Sequence, residues 1–178
     1  DDLMRRNSLV GFKAGTLSAT HAATNAVWKS TYEAITICNN ILDNMSKAKG
    51  TLDEESYEHF EGCARFYRAC FYARIMMYYG DPVFFLHDIP LDEAYDIGRT
   101  PWAEVLETLY EEFDAAARLC PVQYQGATVR ATRGAAYAMK ARTALFFASL
   151  YLNDPAIADQ SKARRHLEIA RDAARECM

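Results

Sequence analysis

Thr51-Leu52-Asp53-Glu54 opens a single long helix, Tyr57, Phe60, Ala64, Tyr67, Phe71, Ile75 and Tyr78 continue it, and Gly80-Asp81-Pro82 closes it. The opening has the Thr-x-x-Glu form of a capping box, in which two side chains satisfy two orphan amides. Steps of three and four put the seven apolar residues on one stripe, which reads as core rather than as a ligand platform. Gly80 suits the C′ position, and Pro82 cannot extend the ladder. On the N-terminal side, Trp28, Tyr32, Ile35, Cys38, Leu42 and Met45 make another stripe between Asn25 and Lys49-Gly50. Residues 1–24 keep no period and read as a loop segment. On the C-terminal side a loop of about twenty residues runs from Asp81 to Arg99, a length usually functional or self-packed. Thr100-Pro101 then gives an N-cap with Pro at N1. A third helix follows through Trp102, Val105, Leu106, Leu109, Phe113 and Ala116, ending at Cys120-Pro121. After a second loop, residues 121–131, a fourth helix starts at Thr132 and carries Ala136, Met139, Thr143, Phe146, Phe147 and Leu150 as far as Asn153-Asp154-Pro155. A fifth, capped by Ser161, carries Ala163, Leu167, Ala170 and Ala174.

Composition agrees with helices throughout. The 178 residues hold 29 Ala but 6 Val and 8 Ile, with Gly 8 and Pro 5, which leaves little material for strands or turns. Hydrophobic residues at 51% and charged residues at 25% exclude disorder and low complexity. The expected fold is all-α: antiparallel helical hairpins stacked as an irregular tetratricopeptide-like array. It is one domain over 1–178, with its five helices in 25–178. Ala64, Ala135, Ala136, Ala144 and Ala148 are the small residues expected at helix crossings. The chain has no starting Met and its last helix wants a partner, so it reads as part of a longer protein.

The net charge of −4, with no clustered basic stretch, argues against nucleic-acid binding. No apolar run approaches the ~18–20 residues of a membrane span. Asp1-Asp2-Leu3-Met4-Arg5-Arg6 does not open a signal peptide. The cysteines Cys38, Cys63, Cys70, Cys120 and Cys177 are odd in number and lack Cys-x-x-Cys, so they read as small buried apolar residues rather than a zinc or disulfide framework. Cys63 and Cys70 stand a heptad apart on one helix, too far to bridge each other. Phosphate-loop, dinucleotide, zinc-protease and nucleophile-elbow motifs are all missing, and no His follows a Glu at the spacing of a di-iron box. Glu55 and His59 lie at i,i+4 and read as a helix-surface contact. Asp92, Glu93 and Asp96 are too few ligands for a hard cation and read as solvated. Glu61 with Arg65, and Asp114 with Arg118, have the order of favourable i,i+4 ion pairs. The sequon Asn44-Met45-Ser46 falls inside a helix. No catalytic residue, metal or cofactor is expected.

Several stretches together resemble the SusD/RagB family of surface glycan-binding lipoproteins of Bacteroidetes. Trp28-x-x-x-Tyr32-x-x-Ile35-x-x-Cys38-Asn39 is similar to its first-helix signature. Glu61-Gly62-Cys63-Ala64-Arg65-Phe66-Tyr67-Arg68-Ala69-Cys70-Phe71-Tyr72 is similar to its hallmark: an acidic residue, Ala-Arg-Phe, Arg-Ala and two aromatics. Tyr79-Gly80-Asp81-Pro82 resembles its Tyr-Gly-Asp-x-Pro, without the residue usual between Asp81 and Pro82. Asp92-Glu93-Ala94-Tyr95, Arg99-Thr100-Pro101, Glu104-Val105, and the run from Thr132 to Arg142 follow in order. The likeness spans about residues 25–175.

The resemblance implies a non-enzymatic binder of oligosaccharide or polysaccharide at the outer-membrane surface, with no nucleic-acid role. Its partner would be a SusC-like TonB-dependent transporter, and its only membrane tie a lipid anchor absent from this chain. Hairpin geometry brings residues 1–25 and the 81–100 loop to one end. There Asn7 and Asn25 offer planar amides, and Tyr95 and Trp102 flat rings, as sugar contacts. Trp28, Arg65 and Arg68 are assigned to holding the fold. Two other classes stay open: a tetratricopeptide-type adaptor gripping a peptide, and a helical enzyme using Asp92, Glu93 and Asp96.

Overall fold

The computed structural model describes residue 18 and residues 20–94, 96–123 and 130–177. Five long helices follow one another: α1 (Ala22–Asn44), α2 (Glu54–Tyr79), α3 (Trp102–Leu119), α4 (Arg133–Asn153) and α5 (Gln160–Glu176). A 3-10 turn, Met45–Ala48, extends α1, and a one-turn helix, Leu91–Ala94, interrupts the loop after α2. The described residues contain no strand, only the isolated bridges Lys49–Leu52 and Val83–Arg99. Each long helix packs on the next in sequence. Along the α2–α3 seam Gly62 meets Leu119, Phe66 meets Phe113 and Arg68 meets Glu112, so the two run antiparallel. The architecture is the expected stack of hairpins, each burying its apolar face against its neighbours.

Local chemistry sets where the helices start. Thr132 caps α4 as expected, its Oγ1 accepting from Ala135 N at 3.2 Å. The cap of α2 is Asp53 rather than Thr51, with Oδ1 accepting from Ser56 N at 2.8 Å. Thr51 is left in the turn that Gly50 makes at φ 86°. α5 likewise starts on Asp159, not Ser161, through a 3.0 Å bond from Lys162 N. In both places a carboxylate prevails over a hydroxyl because it opposes the helix dipole as well as accepting the amide. α1 begins at Ala22, three residues before Asn25, on the ring of His21.

The core is built from Ile35 of α1, Phe66, Ala69, Tyr72 and Met76 of α2, Leu106, Leu109 and Phe113 of α3, and Ala136, Ala144 and Phe147 of α4. Ala64, Ala136, Ala144 and Ala148 are buried at crossings and Ala135 is half-buried. The face of α2 differs from the expected stripe: Phe60, Tyr67 and Tyr78 are 44%, 37% and 69% exposed. From Phe66 to Tyr79 α2 carries apolar residues on several sides, and the helix packs against α1, α3 and the following loop, so its period fits two stripes and the larger rings mislead. On α5 Leu167 and Ala174 face out, while Ala163, His166, Ala170 and Ala173 face in. His166 is drawn inward by Tyr110, whose hydroxyl lies 2.9 Å from Nδ1, and by the stacked ring of Tyr151. Asp114 pairs across to Lys140 of α4 at 2.6 Å rather than along its own helix with Arg118. Cys177 is exposed, against the expectation for all five thiols, because it sits at the end of α5.

Candidate functional site

After α2 the chain lies down across the seam of α1 and α2 as a strap, residues 82–88. Tyr32 OH donates to Val83 O at 3.2 Å and accepts from Val83 N at 2.8 Å. Tyr72 OH treats Phe85 the same way, at 2.6 Å to its oxygen and 3.0 Å from its nitrogen. Asn39 Nδ2 donates to Phe85 O and His87 O, at 3.3 and 3.1 Å. Asp43 accepts from Asp88 N at 2.7 Å and holds the exposed His87 ring at 3.0 Å. Alternate residues 83, 85 and 87 therefore bond helix side chains where a strand would bond another strand. Burial pushes the Tyr32 phenol up to about 12 and raises that of Tyr72 as well. Both hydroxyls thus stay protonated and able to donate.

Arg68 lies beneath this strap at 4% exposure. It donates twice to Glu112 Oε2, from Nε at 3.0 Å and Nη2 at 2.6 Å. Its Nη1 donates to Asn39 Oδ1 at 2.8 Å and Leu86 O at 2.9 Å. Arg65 takes the other Glu112 oxygen at 2.7 Å and Glu61 at 2.9 Å. Burial works against the charge on Arg65, but Glu112 and Glu61 more than offset it and raise its pKa. One guanidinium therefore joins α1, α2, α3 and the strap, each lone pair it uses being otherwise buried.

The strap's return arm closes the other end. Thr100 N donates to Pro82 O at 2.8 Å, and Arg99 Nη1 donates to Asp81 O at 2.9 Å and Tyr79 O at 3.3 Å, at the C-terminus of α2 where a cation is favoured. The guanidinium of Arg99 stands 5.1 Å over the Trp28 ring. Trp28 also packs on Tyr32 at 4.7 Å and edge-on to Tyr79 at 5.2 Å. Tyr79 OH donates to Thr24 O at 2.6 Å. α3 begins here without a cap of its own: Trp102 N donates to Asp81 Oδ1 at 2.9 Å. Pro101 is the cap residue, one place later than expected, so the carboxylate comes from across the loop.

Of the residues picked for sugar contact, Asn25 is exposed on the first turn of α1. Trp102 joins the same end through Asp81, but its ring stacks on Phe147 at 4.7 Å and leans on Tyr151 at 5.4 Å. Asn7 and Tyr95 lie outside the described residues. Trp28, Arg65 and Arg68 sit in the networks above. The ties made by Tyr32, Asn39, Asp43, Tyr72 and Glu112 went unread in the sequence. Asn39 beside Cys38 and Glu112 beside Phe113, polar groups on apolar faces, were the available signal. Asp92, Glu93 and Asp96 are exposed. Among the described residues no helix is long and apolar enough to cross a membrane.

Residues 6–145 match the family model SusD-like_3, described as starch-binding associating with outer membrane. The chain belongs to the SusD-like family. A SusD-like protein of Formosa agariphila, P25, is 29% identical over 116 residues, 65% of this chain and 22% of that one. A crystal structure of a SusD-like protein from Bacteroides fragilis has a TM-score of 0.73 at 23% identity, covering 94% of this chain and 31% of its own. A SusD-like carbohydrate binding protein of the same species gives 0.70 at 24% identity, with coverage of 92% and 31%. This chain thus spans 22% of the curated relative and 31% of those solved chains. At these identities the solved structures establish the SusD-like helical fold. Arg65, Arg68 and Tyr72 lie at the strap and its buried carboxylate, and Tyr79-Gly80-Asp81-Pro82 with Arg99 and Thr100 holds the start of the strap.

Proposed function

We propose that this chain is the helical scaffold of a non-catalytic protein that binds oligosaccharide or polysaccharide at the outer-membrane surface and passes it to a SusC-like TonB-dependent transporter. The observation that carries the reading is the match of residues 6–145 to a starch-binding, outer-membrane family. Two solved structures of similar fold support its ligand class: one is a laminarin-binding SusD-like protein, TM-score 0.68 at 15% identity, and one is a crystal structure with xylogluco-oligosaccharide, TM-score 0.72 at 20% identity. The strap starts near the end that carries Asn25 and Trp102 and runs along α1 to Asp43, giving a fixed base; the sugar contacts of this reading are Asn7, Asn25, Tyr95 and Trp102. Trp28, Arg65 and Arg68 keep that base folded. Membrane attachment is through a lipid anchor rather than a spanning helix.

The test is a glycan array on the full-length protein, followed by calorimetry with the best ligand. Asn25→Ala and Tyr95→Ala should each weaken binding by about fivefold or more, the worth of one net hydrogen bond or ring contact. Unchanged affinity in both variants sinks this placement of the site. A wild-type protein that binds no glycan sinks the function itself. Co-purification with the transporter from outer membranes tests the partner separately.

A further inference from the structure

Cys63 and Cys120 meet at the junction of three helices. Cys63 belongs to α2, Cys120 is the C-cap of α3, and Ala131 stands just before α4. Cys120 Sγ packs against Gly62, the residue before Cys63, close enough for the Cys120 thiol, together with the Ala131 amide, to act on the Cys63 sulfur. Gly62 makes the approach possible: a Cβ there would stand 2.8 Å from Cys120 Sγ and 2.9 Å from Leu119 Cβ. The two sulfurs are unequal. Cys63 is half-buried and lines an open groove with Ile37, Phe60 and Tyr67, whereas Cys120 is 2% exposed.

The Cys120 thiol, the Ala131 amide and the Arg130 charge favour a Cys63 thiolate and hold its pKa below the ordinary thiol value, against the burial of the site. The neighbouring Cys63 thiol, with burial, pushes Cys120 up. An accessible sulfur whose thiolate is favoured, beside a shielded partner, has the layout of an attacking and a resolving thiol. The other cysteines differ. Burial raises Cys38 to about 11 and Cys70 to about 12, and Cys177 lies at the end of α5, its thiol on Gly134 O at 3.4 Å.

We infer that Cys63 and Cys120 form a redox dithiol that closes to a disulfide by exchange with a disulfide-bearing oxidant. The Cys63 thiolate attacks one sulfur of RS–SR, forming Cys63–S–S–R and expelling RS−. Cys120 then loses its proton, attacks the Cys63 sulfur and expels the second RS−. The two thiol protons end on the two RS− groups, so two electrons pass to the oxidant and two RSH leave. The bond closes a loop that contains the whole strap and ties α2 to α3 at the far end from Arg99. The inference does not depend on the glycan reading.

The probe is oxidised glutathione in rising proportion to reduced, followed by alkylation, digestion and mass spectrometry of the native chain. The Cys63–Cys120 linked peptide should form first, with Cys38 and Cys70 unlinked and the intact mass lower by about 2 Da. The melting temperature should rise, and dithiothreitol should reverse both changes. Cys120→Ser should trap glutathione on Cys63, and Cys63→Ser should abolish linkage and trapping at this site. Glutathione on Cys177 with Cys63 and Cys120 still free overturns the proposal, as does indiscriminate pairing or linkage only in denaturant. The wild-type chain gives the deciding readout, so a variant that fails to fold does not blunt the test.

Discussion

Arg68→Ala should destabilise the folded chain by about 4 kcal/mol, inside the ~3–5 kcal/mol range for stripping one partner from a buried ion pair. Four donated bonds are lost: two to Glu112 Oε2, one to Asn39 Oδ1 and one to Leu86 O. Glu112 is 6% exposed, so its carboxylate stays buried with Arg65 alone, on the other oxygen. That remaining pair keeps the cost from the top of the range. Asn39 Oδ1 and Leu86 O, left without a donor, each add part of the ~1–3 kcal/mol typical of an unsatisfied group. In a chain of this size each kcal/mol moves the melting point by about 2–4 °C, so the fall should be about 8–16 °C by circular dichroism, with an unchanged urea m-value. Arg68→Lys should recover only a small part, because a point charge cannot span Glu112, Asn39 and Leu86 together. Arg68→Met combined with Glu112→Leu should lie well above Arg68→Ala, since no buried carboxylate is then stranded and the partly exposed Arg65 keeps Glu61. A melting point within about 2 °C of wild type, or lost glycan binding with unchanged melting, refutes the scaffold role.

Gly62→Ala gains ~1 kcal/mol of helix propensity but drives a methyl to 2.8 Å from Cys120 Sγ, and overpacking of ~1–3 kcal/mol should win; a higher melting point would mean the α2–α3 seam relaxes freely. Tyr72→Phe removes the hydroxyl that satisfies both backbone groups of Phe85, costing ~1–3 kcal/mol and speeding proteolysis between residues 83 and 99. Equal cleavage rates would show that the strap holds without it. Burial lowers the pKa of His166, beside Tyr110, Tyr151, Arg165 and Glu107, and that of His59. The unfolded chain therefore binds more protons, so this stability is complete above the ordinary value of 6.5 and is lost as pH falls through the folded values. Melting temperature should drop from about pH 7 to about pH 5, less steeply in His166→Gln. A flat profile over that window contradicts the assignment.

The number and order of helices were legible because breakers stand at the right places: Gly80-Asp81-Pro82, Cys120-Pro121 and Asn153-Asp154-Pro155. Caps were less so, since Thr51 and Asp53, or Asp159 and Ser161, compete within two residues and the choice depends on which side chain faces a free amide. The face of α2 was misread for a different reason. Its crossing with α3 uses Gly62 and Ala69, which let backbones approach, whereas Phe60, Tyr67 and Tyr78 dominate any pattern weighted by size and end up exposed. Hydrophobic spacing reports what a helix could bury. Where three neighbours surround a helix, the contacts decide what it does bury.

The strap shows where pattern reading ends and what replaces it. The loop after α2 carries backbone groups that must be satisfied once buried, and nothing local in residues 82–88 says by what. The answer lies on α1 and α2 in Tyr32, Asn39, Asp43, Arg68 and Tyr72, up to 51 residues away. Three of the tying residues break an apolar face: Asn39 after Cys38, Arg68 between Tyr67 and Ala69, and Glu112 before Phe113. Each is 6% exposed or less. A buried polar group implies a partner, so such residues announce a long-range tie without naming its other end. A base tied this many times opens only with the hairpin itself, so its residues and the proposed sugar contacts should separate cleanly in one experiment. Substitutions at Arg68, Asn39 or Tyr72 should lower glycan affinity only in proportion to the fraction unfolded, whereas Tyr95→Ala should lower it at a constant melting temperature. Affinity loss at Asn39→Ala under conditions where that variant is fully folded would place the strap in the site rather than beneath it.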